Sequence, residues 1–253
     1  MKFSEINKLL KGIPFISESN AKALYNFIIE NKLTSCLELG FAHGVASCYI
    51  AAALDELGQG YLVSVDLVEA ENIFKPTIQE LLEKCGLAKY VTVHREPTGY
   101  NWFLHNDIKK NTGADNICAP VYDLCIIDGP KNWTIDGSAF FCADKLLKKN
   151  GWIIFDDYNW TYAKAAKVRE VTDGIAHRQL SEDELNLPHV KEIFHLLVLQ
   201  HPAYSNFKIQ QDGDWAWAQK IDMSTKKISY TYSTSTKDVI VKGMLSLIKK
   251  LRR

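Results

Sequence analysis

An excess of charge of either sign is missing: thirty Lys and Arg face thirty Asp and Glu over 253 residues, a formal net charge of zero. Without a basic surplus, counterion release cannot supply affinity for a phosphate backbone, so nucleic acid is not an expected partner. Long apolar runs are missing too. No stretch approaches the roughly 18 residues of a membrane-crossing helix, and Met1 to Pro14 holds no apolar segment followed by a small-residue cleavage site. A soluble, cytoplasmic protein is expected. The cysteines, at 36, 48, 85, 118, 125 and 142, form no C-x-x-C pair, and Cys36 and Cys125 sit within apolar strand-like runs. They read as reduced core thiols rather than a metal or redox motif. There is no long-period repeat.

What is present is enough apolar material, 47% of residues, to build one substantial core of the size single α/β domains reach. After a short amphipathic start (Phe3 to Leu10), a helical pattern covers Asn20 to Asn31. Strand-like runs then alternate with helical ones. The strands are Ser35 to Leu39, Tyr61 to Asp66, Val91 to His94, Tyr122 to Asp128 and Trp152 to Asp156. The helices between them are Val45 to Leu57, Thr77 to Cys85, Asn101 to Lys109 and Gly137 to Leu147. Runs such as Leu124-Cys125-Ile126-Ile127 are apolar without alternation, which suits strands of a parallel sheet covered on both faces.

Further along, the pattern predicts helices over Ala163 to Ala176 and Leu187 to Gln200. Two strand-like pieces follow, Asn206 to Gln210 and Trp215 to Ile221, separated by Asp212-Gly213, a hairpin signal. The expected fold is therefore a Rossmann-like, doubly wound α/β domain over residues 1–222. Its seven-stranded, mostly parallel sheet closes in an antiparallel hairpin, with helices on both faces. Residues 1–31 would form a helical lid and 173–188 a mobile insertion. The 223–253 extension holds a polar stretch, Ser224 to Thr236, and a basic amphipathic helix, Lys237 to Arg253, through which peripheral membrane contact or partner docking could occur.

In open α/β sheets ligands bind beyond the carboxyl ends of the strands. Those ends are Glu38, Asp66, His94, Asp128 and Asp156. The first is followed by a tight glycine turn, Glu38-Leu39-Gly40-Phe41-Ala42-His43-Gly44, with Ser47 just beyond it. Glu38 would repel a pyrophosphate, so a cationic ligand suits this turn better, and Asp66 can accept hydrogen bonds from ribose hydroxyls. A second group is sharper. Asp128-Gly129-Pro130-Lys131 closes one apolar strand and Asp156-Asp157 the next. Adjacent strands lie about 4.8 Å apart, so three carboxylates would crowd one rim. Charges that close need a shared proton or a cation, and hard oxygen ligands suit Mg²⁺ or Ca²⁺.

The glycine turn with its acidic start, together with Asp66, resembles the S-adenosylmethionine site of class I methyltransferases. The stretch Tyr122 to Trp160 is similar to the metal-dependent O-methyltransferases of the catechol and macrocin types. That resemblance implies a cofactor held by Glu38, Gly40, Gly44, Ser47, Asp66 and Asp128, and a divalent metal, Mg²⁺ or similar, on Asp128, Asp156 and Asp157. It also implies a base at Lys131, three residues after Asp128. Sugar-modifying members usually carry His where Lys131 stands, so the motif leaves the acceptor open between sugars or glycans and other small polyhydroxylated metabolites. Trp102, Trp133, Tyr158, Trp160 and Tyr162 could offer one or two stacking faces, and His43 and His94 could reach the cofactor region. Homo-oligomerisation is compatible with all of this. Three other readings share the fold: a metal-independent small-molecule methyltransferase, a cephalosporin-hydroxylase-like protein, and a non-catalytic cofactor-fold binding subunit.

Overall fold

The structure, a computed structural model, describes residues 1–165 and 178–223. Two short N-terminal helices, α1 (Phe3–Leu9) and α2 (Glu18–Asn31), precede the alternating body: β1 (Ser35–Leu39), α3 (Val45–Leu57), β2 (Tyr61–Leu67), α4 (Ala70–Ile73), α5 (Ile78–Cys85), β3 (Val91–Glu96), α6 (Tyr100–Lys110), β4 (Tyr122–Ile127), α7 (Trp133–Leu146) and β5 (Leu147–Phe155). Three short helices follow, α8 (Tyr162–Ala165), α9 (Glu182–Asn186) and α10 (His189–Ile193). The last runs into a π-helical turn, Phe194–Val198, before β6 (Tyr204–Gln210) and β7 (Trp215–Lys220).

The sheet order is β3-β2-β1-β4-β5-β7-β6; β1 to β5 pair in parallel, and β7 is antiparallel to both β5 and β6. This is the expected seven-stranded, doubly wound sheet with its closing hairpin. The direction of winding reverses between β1 and β4, which opens the crevice where such sheets bind ligands. Both faces are covered. Cys36, Leu62, Leu124 and Ile154 look toward α1, α2, α3 and α5, while Leu37, Leu39, Cys125, Ile127 and Phe155 look toward α6, α7 and α10. All five residues of β1 are buried, Ser35 and Glu38 included, as befits the central strand of a parallel sheet covered on both faces.

Several boundaries differ from the sequence expectation for local reasons. Thr77 caps α5, its hydroxyl accepting from the Glu80 amide while the Glu80 carboxylate accepts from the Thr77 amide, so the helix proper starts one residue later. Helix α7 begins a full turn earlier than its apolar periodicity suggests, because Asn132 accepts from the Thr134 and Ile135 amides. Strand β3 runs past His94 to Glu96, and the segment expected as one helix over Leu187 to Gln200 divides into α10 and the π-helical turn. Of the helix expected at Ala163 to Ala176, only the start is described. Residues 173–177 of the expected insertion, Ser224 to Thr236 and Lys237 to Arg253 lie outside the described residues. Among the described residues, no helix is long and apolar enough to cross a membrane. The cysteines are free, and Cys36, Cys48, Cys85 and Cys125 are buried.

Candidate active site

The glycine turn after β1 and the loop after β4 meet at the switch point. Gly40 adopts a φ of +90°, and a Cβ there would collide with the Asp128 carbonyl; one at Gly44 would strike Ile78. These glycines therefore let the two loops and α5 close on one another, whereas the sequence suggested close approach to a ligand. Glu38 is 1% exposed and accepts from the Ser47 and Ser64 hydroxyls, the latter at 2.7 Å. Burial raises its carboxyl to about 7 against the pull of those two hydroxyls. Ser47 is thus a partner of Glu38.

Asp66 braces the turn as well. One carboxylate oxygen accepts from the Phe41 and Ala42 amides at 2.9 and 2.8 Å, and the other from the Leu67 amide at 2.7 Å. Beside it the Arg95 guanidinium lies 4.5 Å from the centre of the Phe41 ring.

Across the switch point, one carboxylate oxygen from each of Asp128, Asp156 and Asp157 lies within 4.8 Å of the others. Among them stands Lys131, 8% exposed and in the left-handed backbone region at φ 61°. Its ammonium donates to Asp128 and lies 3.4 Å from an Asp157 oxygen and 3.9 Å from an Asp156 oxygen. Burial disfavours the charge on Lys131, but the three carboxylates outweigh it and hold the amine protonated. Burial raises the Asp128 carboxyl despite that ammonium, and burial together with Asp128 raises Asp156 well above the carboxylate range.

The loop carrying Asp128 and Lys131 is supported from below. The Tyr100 hydroxyl donates to Asp136, whose other oxygen accepts from the Asn132 amide at 2.7 Å, and a Cβ on Gly129 would collide with this pair. Tyr162 donates to the Pro130 carbonyl at 2.8 Å.

A cavity of about 420 Å³ runs from Glu38 to the acidic cluster, with Gly40, Gly44 and Asp66 outside its lining. Glu38, Asp128, Asp156 and Asp157 form its floor, Phe15, Ile16, Asn20 and Leu24 one wall, and Asp212 to Trp215 the other. The sequence-predicted aromatics lie elsewhere. Trp102 stacks on His105 at the surface, Tyr158 bonds His195 at 2.6 Å, and Trp160 packs edge-on to Tyr162. Trp133, half-exposed, opens α7. The cavity's aromatic surfaces are Phe15 and Trp215, which the sequence reading did not single out; an aromatic opening the strand after Asp212-Gly213 was the available signal for Trp215. His43 is buried outside the cavity lining, its Nδ1 bonded to the Pro76 carbonyl at 2.9 Å and its ring stacked on Phe15. His94 packs on Phe103 and faces a separate groove along β3 and α6, so it does not join the site.

An acid-floored glycine turn and an acid-terminated β2 lie at the switch point of a β3-β2-β1-β4-β5-β7-β6 sheet, the Rossmann-like arrangement of the methyltransferase fold. Residues 37–158, from β1 through the Asp156-Asp157 pair, match the family described as "Methyltransferase domain". No curated protein sequence matches the chain.

Solved structures share the fold. The O-methyltransferase TomG from Streptomyces achromogenes, involved in tomaymycin synthesis and solved with S-adenosylmethionine, is 17% identical, with 87% of this chain and 89% of that one covered at a TM-score of 0.56. An O-methyltransferase from Bacillus cereus, in complex with S-adenosylhomocysteine, is 18% identical over 87% and 92% at 0.57. The S-adenosylhomocysteine-bound methyltransferase PaMTH1 of Podospora anserina is 14% identical over 87% and 88% at 0.59.

Proposed function

We propose that the protein is a divalent-metal-assisted O-methyltransferase acting on a hydroxyl of a small polyhydroxylated metabolite, such as a sugar or another vicinal diol. The observation that carries this reading is the convergence of Asp128, Asp156 and Asp157 in the same cavity as Glu38.

In this reading S-adenosylmethionine lies over the glycine turn, with Gly40 and Gly44 shaping the loop. Asp66 reaches the ribose from the end of β2, and Glu38, with Ser47 behind it, gives the sulfonium an anionic neighbour. The donor set fits a hard dication. Oxygens about 2.0–2.6 Å from one ion lie at most about 4–5 Å apart, the spread these three show. Lys131 offsets one of the three formal charges, which leaves the balance a dication would neutralise. Bound there, the metal would act as a Lewis acid toward the acceptor hydroxyl and oppose the charge on Lys131, so that this amine could take a proton. Asp128 pairs with Lys131 and itself lines the cavity, where Phe15 and Trp215 flank the space left for the acceptor.

A metal-independent reading rests on Lys131 itself, whose ammonium already stands among the carboxylates. It would then serve as their counter-ion, with the acceptor's proton lost to another group.

The test is mass spectrometry after incubating the protein with S-adenosylmethionine, Mg²⁺ and a panel of glycosides and catechols. The expected result is a product heavier by one CH₂ unit, with stoichiometric S-adenosylhomocysteine. Cofactor binding without transfer to any vicinal diol would contradict it.

A further inference from the structure

We propose that Trp215 is a positioning residue of the acidic site, fixing the rotamer of Asp156 and thereby the geometry of the three-carboxylate cluster. The inference deepens the proposed function and rests on its metal reading. The register Phe155↔Ala216 of the β5–β7 ladder, continued by one residue, sets Trp215 opposite Asp156. There the Trp215 indole Nε1–H donates to Asp156 Oδ1, while Oδ2 is the oxygen that approaches Lys131 at 3.9 Å. Indole is a donor only, so this contact fixes one oxygen as acceptor and leaves the other for the cluster.

The indole is 4% exposed and cannot easily leave, because the turn that carries it is tied on both sides. Asn20 of α2, 6% exposed, donates through its amide to the Gly213 carbonyl at 2.8 Å and accepts from Gln210 at 3.0 Å. A Cβ on Gly213 would collide with the Asn20 and Gln210 side-chain ends, so the glycine keeps this pair of contacts in place. On the other side Asp214 accepts from the Asn159 backbone and side-chain amides at 3.0 and 2.6 Å, and its carbonyl accepts from the Tyr158 amide at 2.8 Å. The antiparallel hairpin therefore supplies an indole donor to this rim and holds it beside a candidate ligand.

Groups behind a metal ligand change affinity by about 10- to 100-fold when removed. Trp215→Phe keeps the aromatic wall and removes the donor. The expected result is Mn²⁺ affinity at least about tenfold weaker in Trp215→Phe than in the unaltered protein, with S-adenosylhomocysteine affinity retained. In parallel, Asp156→Ala should move the Trp215 indole N–H resonance in a nitrogen–proton spectrum. Unchanged Mn²⁺ affinity in Trp215→Phe, or an indole resonance indifferent to Asp156→Ala, would overturn the proposal. If the unaltered protein binds no Mn²⁺, the metal reading falls, and the indole spectrum alone then decides whether Trp215 positions Asp156. Should Trp215→Phe fail to fold, the same spectrum carries the decision.

Discussion

Lys131 and Asp128, three residues apart, form an ion pair inside a ring of acids, with the Lys131 ammonium also 3.4 Å from an Asp157 oxygen. A lysine so enclosed is a counter-ion until another cation shares its carboxylates. Lys131→Met is therefore expected to lower the methyl-transfer kcat by about 10²- to 10⁴-fold, the usual contribution of a general base. Mg²⁺ affinity should be unchanged or tighter, because a competing cation is gone. Calorimetry and single-turnover rates on the same preparation check both halves.

The buried Glu38 gives the cofactor step a pH dependence. With its carboxyl raised to about 7, Glu38 is largely neutral at pH 6 and largely ionised at pH 8. Affinity for the sulfonium cofactor is expected to rise by roughly tenfold over that interval, with that for the uncharged thioether product rising far less. Stability runs the other way: a carboxyl raised by folding contributes stability present below its ordinary value and lost as pH climbs through about 7. Glu38→Gln should accordingly flatten both the binding profile and this part of the stability profile.

Lys220 on β7 and Asp144 on α7 form a buried pair at 3.0 Å, with the Tyr204 hydroxyl donating to Asp144 at 3.2 Å. Lys220→Ala leaves that carboxylate buried without its main partner and is expected to cost about 3–5 kcal/mol in denaturant unfolding. A Lys220→Met, Asp144→Leu double variant, with no charge left to desolvate, should recover most of the loss.

Tyr100→Phe tests the support under the loop that carries Asp128 and Lys131. Removing the hydroxyl leaves one Asp136 oxygen without its buried donor, at a cost of about 1–3 kcal/mol. Thermal melting should show that loss, and Mg²⁺ affinity should weaken with it if Gly129 and Lys131 depend on the pair for their placement.

The sheet was legible because its evidence is local. Continuous apolar runs such as Trp152 to Phe155 mark strands covered on both faces, and Asp212-Gly213 marks the hairpin. The strand-end acids were legible for the same reason, since topology alone brings Asp128 and Asp156 to neighbouring rungs. Trp215 was not, because its role depends on the β5–β7 register, which no single segment encodes. Asn20 escaped notice likewise, its partner Gly213 lying at the far end of the described chain. His94 was misplaced by two residues of strand length: once β3 extends to Glu96, the side chain serves packing against Phe103 instead of the cleft.

The most direct measurement is methyl transfer from labelled S-adenosylmethionine to a vicinal-diol acceptor before and after a chelator, alongside Asp128→Asn, Asp156→Asn and Asp157→Asn. The expected result is transfer abolished by the chelator, restored by Mg²⁺, and lost in each carboxylate variant while S-adenosylhomocysteine still binds. Transfer that proceeds at full rate in the chelator and in the Asp156→Asn and Asp157→Asn variants would contradict a metal held by these three acids.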